Sequence, residues 1–337
     1  MARLLFASHD PSGANMLLPV LPLARARGHD VRVLGAGPAA AIFRLAGEDV
    51  ISDVSFDDAT KPSLLVTGTA AGAFDRLLWR RARAARVKTF AVVDAWTNLR
   101  PRFEFDDGSS ELPDAVGVVD ESMAEALREW FQVRPHVIGQ PHLQALERRL
   151  RGKRENHKPQ MPPEIVFFSE CLREDELKVR YGIDQFDVAE ALFPVLAAFG
   201  PLDFSLKPHP REAADGWRAF LAERSFAPLS IRVVDAPSEQ LMMAADGVLG
   251  IFTMVLLEAA LARIPILSVQ PGRTQIVNTL LERLPGAPVV DPAELPQSIE
   301  SFLIAAAEGK APAPEGLLPI LADADKRLMD AIEAELL

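Results

Sequence analysis

Short apolar runs alternate, along nearly the whole chain, with longer stretches in which apolar positions recur every three to four residues. The first kind of run is the signature of a strand buried on both faces, the second of an amphipathic helix. Strands are predicted at 4–7, 31–35, 64–67, 89–93, 116–119 and 136–138. A polar loop over 8–15 leads into a helix predicted over 16–27, which Gly28 is placed to stop in a left-handed turn. The rhythm breaks over 147–163, where Arg148, Arg149, Arg151, Lys153, Arg154 and Lys158 collect before Pro162-Pro163, the reading of a helix end plus linker. It restarts with strands at 165–168, 203–207, 231–234, 248–252, 264–269 and 288–290, a helix at 188–199 and a last amphipathic helix at 320–337. Strands separated by helices imply βαβ units and parallel sheets. The pattern therefore predicts two doubly wound, Rossmann-like α/β domains, 1–146 and 164–315, joined by the linker and followed by a terminal segment 316–337. Open parallel sheets bind ligands beyond the carboxyl ends of their strands, where strand order reverses. With two such domains, a cleft between them is the expected site.

Composition narrows the function classes. The 337 residues are 49% hydrophobic and 25% charged, ordinary for a soluble globular protein. With 36 Lys+Arg against 47 Asp+Glu, the net charge of −11 argues against a nucleic-acid binder. Cys171 is the only cysteine, which excludes an intrachain disulfide or Cys-based zinc site and suits a reducing cytoplasm. The start shows no signal-peptide pattern, and no apolar run approaches the roughly 20 residues of a membrane span. The six histidines are dispersed, so no metal site is expected. Arg80, Arg81, Arg83, Arg86 and Lys88 read as a solvated helix face, with weak peripheral contact to anionic lipid as the alternative.

Candidate chemistry follows the strand ends. In Ser8-His9-Asp10-Pro11-Ser12-Gly13, Gly13 permits close backbone approach to a ligand, and His9 with Asp10 can supply a general base. The alternative is turn chemistry plus a helix cap. The spacing is not that of a nicotinamide dinucleotide loop. Lys207, His209 and Arg211, stiffened by Pro208 and Pro210, offer three donors to phosphate and would repel one another without an anion. Otherwise they form a Pro-rich turn. Thr253 suits an N-cap, at a helix start whose N–H groups and dipole favour an anion. Glu258 lies in an otherwise apolar helix, where an unpartnered carboxylate is costly and a ribose diol is a natural partner; an exposed face is the alternative. Ser169-Glu170, and Gly272-Arg273 at an expected helix start, end two further strands and suit phosphate or sugar, or simply turns. Asp94, Trp96, Asn98, Arg100 and Arg102 crowd after another strand, as an acceptor surface or as an interdomain ion-pair cluster, and Thr67-Gly68-Thr69 ends a neighbouring one. Asp106-Asp107-Gly108 is either an acidic base motif or a hairpin turn.

The opening strand and polar loop, Pro19 and Pro22 in the next helix, and the string ARGHDVRVLG ending at Gly35 together resemble the start of GT-B glycosyltransferases and the related nucleotide-sugar 2-epimerases. The segment 247–268 resembles the GT-B nucleotide-binding element, which implies phosphate at Thr253 and ribose at Glu258. Lys207-Pro208-His209-Pro210 is similar to the His-Pro motif of bacterial sialyltransferase-like and capsule-polymer transferases, implying a phosphate contact for His209. Those sialyltransferases also carry an acidic-acidic-Gly base, to which Asp106-Asp107-Gly108 would correspond. The resemblance implies two domains facing a cleft, a last helix crossing back to the first domain, no metal, and no cofactor beyond a nucleotide-sugar substrate. It implies first a cytoplasmic, metal-independent glycosyltransferase of bacterial surface-glycan synthesis, moving sugar to a hydroxyl of a glycan or small-molecule acceptor. Lys207, His209, Arg211, Thr253, Glu258, Gly272, Arg273 and Ser169 would hold the donor, Gly13, Trp96, Asn98 and Arg100 the acceptor, and Asp10, His9 or Asp94 would be the base. The alternatives are a nucleotide-sugar 2-epimerase, with acids and bases around one sugar and no acceptor, and a non-catalytic nucleotide-binding protein.

Overall fold

The computed structural model describes the chain except for residues 57–60, 71, 97, 106, 151, 155–156, 175, 276–283, 285 and 287. It divides into two compact units, Met1–Ala145 with Leu318–Leu337, and Leu146–Leu317.

The first unit is built on a seven-stranded sheet in which every pairing is parallel. Its strands are β1 (Arg3–Ser8), β2 (Asp30–Gly35), β3 (Val50–Ile51), β4 (Leu64–Thr67), β5 (Lys88–Val92), β6 (Ala115–Val118) and β7 (Arg134–Val137), in the order β3-β2-β1-β4-β5-β6-β7. Strand order reverses between β1 and β4. The central strands are buried on both faces, which is why they are near-continuous apolar runs. β3, only two residues long, has no such run to announce it. The polar stretch expected to be a loop is largely helical, as Pro11–Leu17. Pro11 fits a first helical turn, where its missing N–H costs nothing. A 3₁₀ turn at Leu18–Val20, beside Pro19, separates this helix from the next, Leu21–Ala26. Gly28 adopts φ +82° after that helix, the left-handed conformation expected of it.

The end of the chain is two helices, Leu318–Leu321 and Ala324–Ala334, rather than one. Asp323, at φ +49°, breaks them. Leu328, Met329 and Ile332 are fully buried in the first unit's core with Phe6, Leu17, Leu21 and Phe90. Arg27 donates to Asp330 at 2.7 Å and to Glu333 at 2.6 Å.

The second unit has a five-stranded parallel sheet of β8 (Glu164–Phe168), β9 (Asp203–Lys207), β10 (Ile231–Val233), β11 (Gly247–Gly250) and β12 (Ile266–Ser268), ordered β10-β9-β8-β11-β12. Its order reverses between β8 and β11. The strand expected at 288–290 is a single parallel bridge, Val269 to Val289. The basic stretch after the helix Pro141–Leu150 is held against this unit, because its side chains have acceptors there. Arg154 donates to the Met243 carbonyl at 2.8 Å, and His157 Nε2 lies 2.7 Å from Asp246. Among the described residues no helix is long and apolar enough to cross a membrane.

Candidate active site

At the reversal point of the first sheet, β1 delivers His9 and Asp10 to the carboxyl edge. Asp10 holds the N-cap position of the helix Pro11–Leu17 with extended φ −93° and ψ 152°, yet its side chain makes no cap. Its Oδ1 lies instead 2.7 Å from His9 Nδ1. A carboxylate only accepts, so Nδ1–H donates and the neutral ring keeps its lone pair on Nε2. Plain cap chemistry therefore does not account for Asp10. Room for the ring comes from Gly37, where a Cβ would stand 2.6 Å from His9 Nε2. Asp75 belongs to the same group, since Asp10, His9 and Arg102 all act on it electrostatically. Burial is the main force raising its carboxyl, to about 6. One of its oxygens accepts from the Ala70 amide at 2.6 Å, and the other has no hydrogen-bond partner among the described residues. Sequence reading missed Asp75, which looks like any acid in a helix's first turn.

Asp94, after β5, pairs with Arg102 at 2.6 Å, and Arg102 also donates to Thr69 O and Oγ1 at 2.8 and 3.0 Å. The Trp96 indole N–H is committed to Asp120 at 2.8 Å, and Arg100 to Glu104 at 2.8 Å. Asn98 is exposed, with φ +53°. Ion pairs are present, but they join residues within the first unit rather than linking the two domains as expected. Gly13 is buried against Gly68, so the close approach it allows is to protein backbone. Around Asp107-Gly108 the chain makes a short hairpin, with Glu104 bridged to Ser110 and Gly108 at φ +79°. Asp107 accepts from the Ser109 amide and hydroxyl at 2.9 and 2.6 Å, as a turn residue does; Asp106 lies outside the described residues.

In the second unit the ends of β8, β9, β11 and β12 share one edge because all are parallel. Thr253 caps the helix Met254–Leu261, its Oγ1 accepting from Val255 N at 3.3 Å. Glu258 is half-buried on that helix, between the exposed and the buried reading. His209 is half-buried, and its Nδ1 accepts the Arg211 amide at 3.2 Å, which puts the proton of the neutral ring on Nε2. Arg211 is exposed. Lys207 pairs with Asp235 at 2.7 Å, and this partner holds the Asp235 carboxyl below its ordinary range. Lys207 therefore has its own counter-ion and, contrary to expectation, does not demand an external anion.

Ser169 is buried, and its hydroxyl donates to Glu212 at 2.9 Å. Gly272, at φ +76°, donates its amide to Val290 O at 2.8 Å. Arg273 reaches Gln270 Oε1 at 2.8 Å, while Gln270 Nε2 donates to Ile251 O at 2.8 Å. This chain ties the β12 loop to the β11 loop. No helix starts at Gly272-Arg273, and residues 276–283 beyond lie outside the described residues. Two acids stand at this edge: Glu170, expected with Ser169 to meet phosphate or sugar, and Glu212, for which the sequence suggests no role. Burial, foremost, raises Glu170 to about 8 and Glu212 to about 7. Among the described residues no group of His, Cys, Asp and Glu could hold a metal ion.

No family model and no curated protein matches the sequence. Solved structures do match the fold. A putative UDP-N-acetylglucosamine 2-epimerase from Listeria monocytogenes superposes with TM-score 0.68 at 12% identity, over 99% of this chain and 96% of its own. The UDP-GlcNAc 2-epimerase of Methanocaldococcus jannaschii, in complex with UDP-GlcNAc and UDP, gives 0.66 at 12% identity over 98% and 99%. The glycotransferase of kitacinnamycin gives 0.56 at 14% over 100% and 99%. The chain thus has the GT-B fold, two parallel-sheet α/β units, which nucleotide-sugar 2-epimerases and GT-B glycosyltransferases share.

Proposed function

We propose that the chain is a nucleotide-sugar 2-epimerase. The observation that carries this reading is the His9–Asp10 pair, in which Asp10 forgoes its helix cap to hold the imidazole at 2.7 Å. Inverting a carbon centre requires a proton to leave one face and return on the other, hence two proton-handling groups. His9 Nε2, oriented by Asp10, is one; Asp94, held by Arg102, is the other. Transfer to an acceptor needs a single base, so a site this rich in acids and bases favours epimerisation. The fold likeness points the same way, because the two 2-epimerases superpose more closely than the glycotransferase.

The nucleotide belongs on the second unit. Thr253 and the positive N-terminal end of its helix meet phosphate. His209 Nε2–H donates to a phosphate oxygen, and Glu258 accepts from the ribose hydroxyls. Gly272 and Arg273 complete the phosphate side.

A thermal-shift screen of UDP, GDP, CDP and CMP identifies the nucleotide. Its N-acetylhexosamine sugar is then incubated in D₂O with no acceptor. A second nucleotide sugar carrying deuterium at C2 is expected. Asp10→Asn should slow its appearance at least about 100-fold with nucleotide affinity kept. Donor consumption only when an acceptor hydroxyl is supplied would replace this reading by glycosyl transfer; binding without turnover would leave a nucleotide-binding protein.

A further inference from the structure

Two acids, Glu212 buried and Glu170 half-buried, link three loops at the reversal point of the second sheet. Glu170 Oε2 accepts the Phe252 amide at 2.7 Å, one residue before the Thr253 cap. Beside it, Ser169 Oγ donates to Glu212 Oε1 at 2.9 Å. Glu212 Oε2 accepts the His209 amide at 2.5 Å, and Trp217 Nε1 approaches Oε1 at 3.3 Å. The result is one run of hydrogen bonds from the β11 loop, through the end of β8, to the β9 loop. Burying both acids is costly, as their raised carboxyls record, and each also lies in the field of another acid: Glu212 acts on Glu170, and Glu174 on Glu212. Tying two loops together does not in itself require a charge. What these acids add is an acceptor oxygen for each of two backbone amides, on the two loops that would meet the same diphosphate.

We propose that Glu170 and Glu212 are positioning residues that brace the His209 loop and the Thr253 loop at the spacing a nucleotide diphosphate needs. This rests on the proposed function, since it assumes that the phosphates bridge those loops. Neither acid touches the nucleotide; each acts through the amide that it holds.

The test measures UDP affinity by calorimetry and the His209 imidazole titration by NMR, in the intact chain. With six histidines in the sequence, the His209 resonance is assigned by comparison with His209→Ala. In Glu212→Gln one carboxylate oxygen becomes an NH₂ group, which cannot accept. Affinity should fall about tenfold or more, and the His209 titration should shift, with the far-UV spectrum unchanged. Glu170→Ala should lose about tenfold, and Glu170→Gln, which keeps the accepting oxygen, should restore it. Ser169→Ala, the gentler change, should move affinity the same way if Glu212→Gln fails to fold. The brace is overturned if Glu212→Gln, or Ser169→Ala in its place, and Glu170→Ala all bind as the parent does with an unshifted His209. It is equally overturned if Glu170→Gln and Glu170→Ala lose affinity alike. Should the parent bind none of the nucleotides, the functional reading fails, and an unchanged His209 titration in Glu212→Gln then sinks the brace separately.

Discussion

A Cβ added at Gly13 would stand 2.5 Å from the Ser8 hydroxyl and 3.1 Å from the Gly68 Cα. The second neighbour is backbone and has little room to move. Alanine is ordinarily favoured over glycine in a helix by about 1 kcal/mol, but here the clash opposes that gain. Gly13→Ala should therefore lower stability by about 1–3 kcal/mol, seen as a lower urea midpoint at unchanged slope; an unchanged or higher midpoint would show that the Gly13–Gly68 contact is slack. The sequence does announce that backbone must come close at Gly13. It cannot say to what, because the partner lies 55 residues away on the end of β4. The same limit applies to Lys207, whose counter-ion Asp235 stands beyond the next strand, and to Asp75. Residue types and spacing reveal which groups need partners; only the strand order supplies them. His9 and Asp10 were legible because both members of the pair are adjacent in sequence.

At the scale of elements, strands in the sheet centres were read within a residue or two, since burial on both faces leaves an unbroken apolar run. Helix starts were harder. The helix Gln185–Ala198 begins three residues before the apolar pattern suggests, because Asp184 and Asp187 close a capping box. Asp184 accepts from Phe186 N and Asp187 N at 2.9 and 3.0 Å, while Asp187 takes the Asp184 amide at 2.8 Å. Burial works to raise the Asp184 carboxyl, but the Asp187 amide and the Arg173 guanidinium outweigh it and hold the group below its ordinary value of 3.8. Asp184→Ala should cost about 1–2 kcal/mol. Because the folded carboxyl is depressed, its contribution is present above the ordinary range and is lost as pH falls through the lower folded value. Parent and variant should therefore converge in stability at strongly acidic pH; a gap that stays constant there would assign the loss to packing rather than to the charged cap.

Over the whole molecule, the acids that the fold perturbs most are raised rather than depressed, and this sets the direction of its pH response. Asp75 reaches about 6, Glu212 about 7 and Glu170 about 8, burial leading in each case. Each binds its proton more tightly folded than unfolded. The stability this gives is fully present below the unfolded carboxylate range and is lost as pH climbs through the folded values. A net charge of −11 at pH 7 adds self-repulsion in the same direction. The depressed acids work oppositely: Asp184 and Glu333 withdraw their contribution only as pH falls below about 4. Stability should therefore peak near pH 5 and decline steadily to pH 9. Glu170→Gln separates burial of this acid from general repulsion, because it keeps the acceptor for the Phe252 amide and removes the titration. Its stability advantage over the parent should be small at pH 5 and widen by at most about 1.4 kcal/mol per pH unit up to about pH 8. Beyond that the two curves should run parallel, both ionising states of the parent then being spent. Urea unfolding of the two proteins at pH 5, 6.5, 8 and 9 measures the gap. If it does not widen between pH 5 and pH 8, Glu170 is not buried in its neutral form, and the alkaline decline belongs to the surface charge alone.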